Sequence, residues 1–250
     1  INIAEKGWVS LDVIASGVGG HSSIPPPKTA VGKLAEAIVR IQESPLPGGL
    51  SDVTAQMLDG LAPSLPFYQR VIVANRWLFG GLLEQMLGAS AMANASMRTT
   101  IAPTMLKASL KENVLPIEAV ARVNLRLHPR DTPESVLKHF EVVLEDHRDI
   151  ELKIVRGSNA SPIASTTGEG YQAIAINLQR VFGETLVVPG ITVGGTDSKH
   201  YGEVSDNAYR FIPMLVSPDD LTGFHGTNER ISVDNLAGAV QFYLSLIQNL

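Results

Sequence analysis

His225 is the residue whose surroundings best suit it to bind a metal ion. It lies late in the chain within Gly223-Phe224-His225-Gly226-Thr227-Asn228-Glu229-Arg230, a loop composition that lets another group approach an imidazole closely. A catalytic zinc ion is bound by neutral imidazoles and carboxylates, so His225 could be one ligand. No HExxH motif or paired-histidine spacing supplies the other ligands. Spacing alone therefore favours a loop histidine without a metal.

A second segment, Gly194-Gly195-Thr196-Asp197, combines backbone N–H groups, a hydroxyl and little side-chain bulk. Such a turn could hold an oxyanion or a substrate carboxylate. It follows a predicted strand, and the ends of strands are where α/β proteins place their sites. An ordinary turn that ends a strand is an equally good interpretation of the same residues.

Three further polar residues could contact a substrate. His21, within the turn Gly19–Ser23, could donate a hydrogen bond to developing negative charge. Arg126 could pair with a carboxylate, because a guanidinium matches a carboxylate bidentately. Asn113 precedes Pro116 and is also explained by an Asx turn. Taken singly, a turn histidine and a solvated surface arginine are the commoner cases.

Composition excludes several other functions. The chain of 250 residues has no cysteine, which rules out disulfides and thiolate catalysis. Ser22 and Ser198 lie in no G-x-S-x-G elbow and have no indicated histidine–acid pair, so serine catalysis is rejected. A net charge of -5, without a run of basic residues, argues against a nucleic acid partner. No apolar run is long enough to span a bilayer.

The order of predicted elements indicates a ferredoxin-like domain over residues 6–157, within an α/β (α+β) chain. Alternating apolar residues predict strands, and helical spacing after the caps Thr29 and Thr132 predicts two helices. The order β-α-(insert)-β-β-α-β gives a four-stranded antiparallel sheet with both helices on one face. The strands are expected over 8–16, 106–110, 119–127 and 150–154.

Two features of this domain bear on function. On its third strand Arg122, Asn124 and Arg126 share the outer face, because strand side chains alternate. The insert, about residues 50–97, is dense in apolar residues, with short helices predicted over Val53–Leu61 and Leu78–Leu87. It either covers a site or simply packs on its own domain.

Residues 158–250 read as only part of an α/β domain. Their pattern predicts a helix over 168–182, strands over 185–189 and 208–213, and a last helix capped by Ser232. Two strands and two helices are too few for a sheet buried on both faces. The first residues resemble neither a signal peptide nor a usual initiator sequence, and we expect an upstream part to have been removed.

Six segments occur in an order that resembles the aminoacylase/carboxypeptidase family of two-zinc hydrolases (metallopeptidase family twenty). Within it, the chain is most similar to the carboxypeptidase S and N-acyl-amino-acid hydrolase branch. The resemblance runs over essentially the whole chain. The segments are Gly19–Ser23, Arg98–Thr100, Asn113–Pro116, Asn124–Pro129, Gly194–Ser198 and Phe224–Glu229.

The resemblance implies a ferredoxin-like lid that often dimerises, and a catalytic α/β domain with two zinc ions. By it, His225 matches a zinc ligand, and His21 matches the lid histidine that reaches a scissile carbonyl, typically in the partner subunit. Asn113, Arg126 and the Gly194–Thr196 turn match groups that hold the substrate carboxylate. The implied reaction is hydrolysis of an amide bond beside a free carboxylate, in a peptide or N-acyl amino acid.

The chain departs from the family because no segment upstream of His21 could hold the H-x-D motif, the bridging Asp and the Glu-Glu pair that the family carries in its N-terminal half. We therefore expect the isolated chain to be inactive, as a fragment or one piece of a split enzyme. The alternative is a non-catalytic dimerisation or binding module. A homodimer through the lid is expected in either case.

Overall fold

The computed structural model describes residues 1–50, 52–217, 220, 223 and 226–249. Short 3-10 helices cover Ala62–Ser64 and Asp197–Glu203. In chain order the strands and α-helices are β1 (Asn2–Glu5), β2 (Gly7–Ser16), β3 (Gly20–His21), α1 (Ala30–Glu43), α2 (Asp52–Leu61), α3 (Phe67–Ala74), α4 (Arg76–Gly88), α5 (Ala91–Met97), β4 (Thr100–Lys107), β5 (Val114–Leu115), β6 (Glu118–Leu127), α6 (Pro133–Val143), β7 (Ile150–Ser158), α7 (Glu169–Phe182), β8 (Gly190–Thr192) and α8 (Val233–Gln248).

The main sheet has four strands in the order β4-β6-β2-β7, and every neighbouring pair is antiparallel. Helices α1 and α6 pack on one face of this sheet and against each other. This is the ferredoxin-like arrangement, so the fold predicted from the sequence is confirmed. The other face of the sheet carries no helix of this domain among the described residues, and it lines a cleft.

The core forms because alternate residues of β2 and β6 point to the helix-covered face. Val13 on β2 and Ala121 on β6 lie opposite each other, and both are fully buried. Leu34 and Ile41 of α1 and Phe140 of α6 close the core from the helical side. On β6 the predicted outer-face set, Arg122, Asn124 and Arg126, lies between these core positions and is at least partly exposed.

Three predicted helix caps are confirmed. The Thr29 side chain accepts from the N–H of Gly32 at the start of α1. Thr132 and Ser135 form a reciprocal capping box at the start of α6, and the Ser232 side chain caps α8. Each cap satisfies N–H groups that the first helical turn leaves without intrahelical partners.

Several predicted strand positions are wrong. The second strand of the sheet along the chain is Thr100–Lys107 rather than 106–110. The alternation of apolar and polar residues continues past the end of this strand, and Pro103 in its middle interrupts the pattern that would have located it. Pro103 is tolerated since β4 is an edge strand. The strand predicted over 185–189 lies instead at β8, and that predicted over 208–213 is reduced to one bridge between Asn2 and Arg210.

Strand β1 shows how the two parts of the chain are connected. It pairs in parallel with β8, whereas β2 begins two residues later in the four-stranded sheet. The chain returns from the four-stranded sheet to the C-terminal part where β7 ends. At this place a Cβ on Gly7 would lie 2.4 Å from the Ala160 nitrogen. The two crossings are therefore in direct contact. We propose domains over 6–157 and 158–250, with β1 belonging structurally to the second.

The insert consists of α2–α5. Helices α2 and α4 confirm the two predicted from the sequence, and α3 and α5 are additional. Val53 of α2 packs into a cluster with Ile3 and Tyr171, which attaches the insert to the C-terminal part. Exposed apolar side chains remain on the α3–α4 pair, notably Phe67 and Trp77. No helix among the described residues is both long and apolar enough to cross a membrane.

Replacing Phe140 by Ala is expected to destabilise the fold by about 3–5 kcal/mol, because it removes a fully buried ring from the core. Denaturant unfolding followed by circular dichroism measures this change. Val142→Ala, on the exposed side of the same helix, is the control and should change stability by less than about 0.5 kcal/mol. Equal effects of the two substitutions would contradict this placement of the core.

Candidate functional site

A cleft of about 290 Å³ lies between the outer face of the four-stranded sheet and the C-terminal part of the chain. Strands β2, β6 and β7 form its floor, and the turn before the 3-10 helix at 197–203 forms its opposite wall. Because the helices occupy the other face of the sheet, the cleft is lined by outward-pointing side chains. The lining includes Trp8, Ser10, Asn124, Arg126, Arg156, Gly195 and Lys199.

The strand register places the floor residues in two rows. Trp8 lies opposite Arg126 on one side and Ser158 on the other. Ser10 in the next row lies opposite Asn124 and Arg156. The alternation that buried Val9 and Leu11 thus places this polar set on the opposite face.

The cleft is strongly positive. Arg126, Arg156 and Lys199 are exposed at its surface, and none of these side chains donates a hydrogen bond to another described residue. The Arg156 guanidinium lies 5.4 Å from the centre of the Trp8 ring, a cation–π contact. These cations suit an anionic group of a ligand.

Lys6 adds a further positive charge at the inner end of the cleft. Its Nζ is buried and donates to the carbonyls of Ala95 and Arg98, both at 2.9 Å. Burial, followed by repulsion from Arg126, lowers the pKa of Lys6 from 10.5 to about 8. It therefore remains protonated at neutral pH and ties the end of α5 to the cleft.

Glu5 organises the wall that carries the glycine turn. Its carboxylate accepts from the Thr196 N–H at 2.8 Å and from the Thr196 hydroxyl. Arg210 Nε donates to the same carboxylate at 3.3 Å, and both charged side chains are buried. Both hydrogen-bond donors of Thr196 are thus bonded to Glu5. The N–H groups of Gly194 and Gly195 donate to no other described residue. Of these two glycines, Gly195 lines the cleft.

His21 and Asn113 lie together elsewhere in the molecule. His21 in β3 pairs with Val114 in β5, and the Asn113 carbonyl accepts from the Ser22 N–H at 3.1 Å. The Ser23 N–H donates to His21 Nδ1 at 3.2 Å, so a neutral His21 carries its proton on Nε2. That exposed ring edge is a hydrogen-bond donor.

The structure therefore gathers the predicted site residues into two groups. Arg126 and Gly195 share the cleft, while His21 and Asn113 lie beyond the other end of β2. From Trp8 to Ser16 the strand spans roughly 26 Å at about 3.3 Å per residue. No small substrate can contact both groups of one chain at once.

The described residues do not by themselves fit a metal centre. Within 1–50, 52–217, 220, 223 and 226–249, no three His, Cys, Asp or Glu side chains are grouped so that they could hold an ion. His225, the predicted ligand, lies outside the residues that the structure describes.

Comparison with known proteins identifies the family. Residues 3–150 match the family model of the M20 peptidase dimerisation domain. The chain belongs to the M20 peptidase family.

The chain is 38% identical over 251 residues to N-fatty-acyl-amino acid synthase/hydrolase PM20D1 of Xenopus tropicalis, covering 100% of this chain and 49% of the relative. It is 34% identical to probable carboxypeptidase S-like 2 of Dictyostelium discoideum, covering 100% of this chain and 48% of the relative. These relatives are named as hydrolases or peptidases. The chain spans about half the length of the curated relatives it matches.

Solved structures confirm the fold class. The M20 family metallo-carboxypeptidase Sso-CP2 of Sulfolobus solfataricus matches with a TM-score of 0.62 at 14% identity, over 99% of this chain and 63% of that one. The dipeptidase Dug1p of Saccharomyces cerevisiae matches with a TM-score of 0.56 at 14% identity, over 99% of this chain and 55% of that one. At this identity the likeness concerns the fold.

Sequence reasoning missed several residues of the cleft. Glu5, Lys6 and the Arg210 that pairs with Glu5 are charged, and nothing local in the sequence indicates that they are buried. Arg156 is detectable in principle, since alternation continues through β7 beyond the predicted end at 154. The cation–π contact between Trp8 and Arg156 depends on the register between β2 and β7, which no local pattern in the sequence gives.

His128, next to the Lys6 end of the cleft, is expected to make stability depend on pH. Burial and then repulsion from Arg130 and Lys6 lower its pKa from 6.5 to about 4. Between those values the unfolded chain binds the proton more readily, so stability falls as pH drops from about 6.5 to 4. The difference in pKa corresponds to at most about 3 kcal/mol.

Chemical unfolding of the native chain and of His128→Asn at pH 7 and pH 4 measures this contribution. The Asn amide oxygen can replace Nδ1 as the acceptor of the Arg130 side chain, but it does not titrate. The variant should lose less stability on acidification by about 2–3 kcal/mol. Identical losses in the two proteins would show that His128 is not the responsible group.

Proposed function

We propose that the chain is the substrate-binding half of a zinc-dependent hydrolase that cleaves an amide bond next to a free carboxylate. The substrate is a peptide or an N-acyl amino acid. The observation that carries the proposal is the cationic cleft, which Arg126 lines together with Gly195. Membership of the M20 peptidase family and the hydrolase names of the relatives support it.

In this proposal the cleft holds the carboxylate end of the substrate. Arg126 supplies paired N–H donors, and the two glycine N–H groups approach from the opposite wall, where no side chain obstructs them. Lys6 makes the electrostatic potential of the cleft more positive without contacting the ligand, because its ammonium donates to two backbone carbonyls. Fixing the carboxylate positions the adjacent amide bond for attack.

His21 is the proposed donor to the developing oxyanion, because its Nε2–H is exposed and its tautomer is set by Ser23. Asn113, beside it, would contact the same substrate near its carboxylate. The distance of His21 from the cleft of its own chain means that a second copy must deliver these two residues. We therefore propose a homodimer in which each lid completes its partner's site.

The apolar insert supports a substrate with an apolar acyl group or side chain. Phe67, Trp77 and Leu78 are exposed there, whereas the cleft is polar. The Xenopus relative is named for fatty-acyl amino acids, and the same class is the proposal for this chain. Apolar contact at the insert and ionic contact at the cleft would then hold opposite ends of one molecule.

The metal is proposed to be zinc, with two ions in the complete protein. When bound, zinc supplies a water of lowered pKa and polarises the carbonyl. His225 is the proposed ligand from this chain, and the remaining ligands and the general base would come from another part of the complete protein. The isolated chain is accordingly expected to bind no stoichiometric zinc and to catalyse no hydrolysis.

In the complete protein, Arg126→Gln is expected to lower kcat/KM for an N-acyl amino acid roughly 30- to 1,000-fold, because one partner of an ionic contact is lost. The native protein should reject the matching carboxamide, and the variant should no longer discriminate. Chelation should abolish both activities. A complete protein that has neither metal nor hydrolytic activity would instead support a non-catalytic dimerisation or binding module.

The dimer is proposed to form along β4, an edge strand that exposes Leu106 and Met105. Leu106→Asp should convert the chain to a monomer, because a charge on a pairing edge opposes association. Light scattering after size exclusion measures the mass. Val155→Asp, on the opposite edge strand β7, is the matched control and should remain dimeric. A monomer in the native chain, or a monomer only in the control, would contradict this interface.

A further inference from the structure

The cleft carries more positive charge than one carboxylate requires. Arg126, Arg156 and Lys199 line it together with the buried Lys6, and Glu5 is the one acid among its described lining residues. Glu5 is already bonded to Thr196 and Arg210. A substrate with a single carboxylate at Arg126 would leave Arg156 and Lys199 without an anionic partner.

We propose that Arg156 and Lys199 form a second anion subsite, so that the preferred substrate carries an acidic amino acid next to the scissile bond. This inference rests on the proposed function, since it takes Arg126 as the site of the α-carboxylate. The second carboxylate, on the aspartate or glutamate side chain, lies against Arg156. Specificity for the released amino acid is then set by β7 and the 3-10 helix at 197–203.

The strand order and register give the two arginines a suitable separation. Arg126 on β6 and Arg156 on β7 flank β2 in adjacent rows, so their backbones are two strand spacings across and two residues along the strands apart, roughly 12 Å. Both side chains are long enough to incline toward Trp8, which lies between them on β2. Two guanidinium groups converging from either side match a ligand whose carboxylates are a few bonds apart.

Trp8 holds Arg156 for this role. The guanidinium lies over the indole ring, 5.4 Å from its centre, and a cation–π contact of this kind leaves the guanidinium N–H groups available for a carboxylate. Lys199 lines the opposite wall as a point charge on a flexible side chain. The subsite therefore has one oriented donor and one adaptable cation.

The remaining lining residues argue against an apolar amino acid in the same position. Beside Trp8, the side chains on the floor are Ser10, Asn124 and Ser158. A Leu or Phe side chain placed there would desolvate these polar groups without giving them hydrogen bonds, which is unfavourable. An acidic side chain satisfies both the cations and the hydroxyl and amide donors around them.

Calorimetric titration of the chain with N-acetylglutamate and with N-acetylglutamine tests the subsite directly, because the whole cleft belongs to this chain. The native chain is expected to bind the glutamate ligand about tenfold more tightly, as a partly exposed ionic contact allows. Arg156→Gln should reduce this preference to about twofold or less and leave the glutamine ligand unchanged. Lys199→Gln should give a smaller reduction.

Two further variants separate this inference from the proposed function. Arg126→Gln should weaken both ligands alike, and Lys153→Gln, which removes a charge from the same face of β7 outside the cleft, should alter neither. Equal binding of both ligands by the native chain, or a preference that survives Arg156→Gln, overturns the subsite alone. Failure to bind either ligand, or no effect of Arg126→Gln, overturns the carboxylate site and the subsite with it.

Discussion

The buried carboxylate of Glu5 is the interaction on which the cleft depends. It joins Glu5 to Thr196 and Arg210, which lie 191 and 205 positions further along the chain and both donate hydrogen bonds to it. A buried charge of this kind is tolerated only while its partners are in place. Since Glu5 ends β1 and Thr196 directly follows Gly195, the same contact fixes the first strand and the position of Gly195 in the cleft wall.

The two faces of the four-stranded sheet have different roles: one packs in the core and the other lines the cleft. Its inner face supplies the buried residues that α1 and α6 cover, and its outer face supplies the arginines of the cleft. Alternation couples the two, since moving β6 by one register position would bury Arg126 and expose Leu125. The apolar core therefore enforces the position of the charges as well as the stability of the fold.

Much of the fold followed from local patterns. Alternation located β2 and β6, and the caps Thr29, Thr132 and Ser232 fixed the starts of three helices. Strand β1 was missed because its four residues carry no clear alternation and its partner β8 lies near the other end of the chain. Arg126 was predicted on the correct face, whereas the burial of Glu5 and Lys6 depends on long-range contacts that no short window contains.

The contact between Gly7 and Ala160 has a mechanical consequence. The covalent crossings between the four-stranded sheet and the C-terminal part run side by side there, too close for any added side chain. Two segments of chain packed together at one point restrict how far the four-stranded sheet and the C-terminal part can slide past each other there. Arg126, whose cross-strand partner Trp8 directly follows Gly7, lies next to this restraint, whereas His21 lies far from it, beyond the other end of β2.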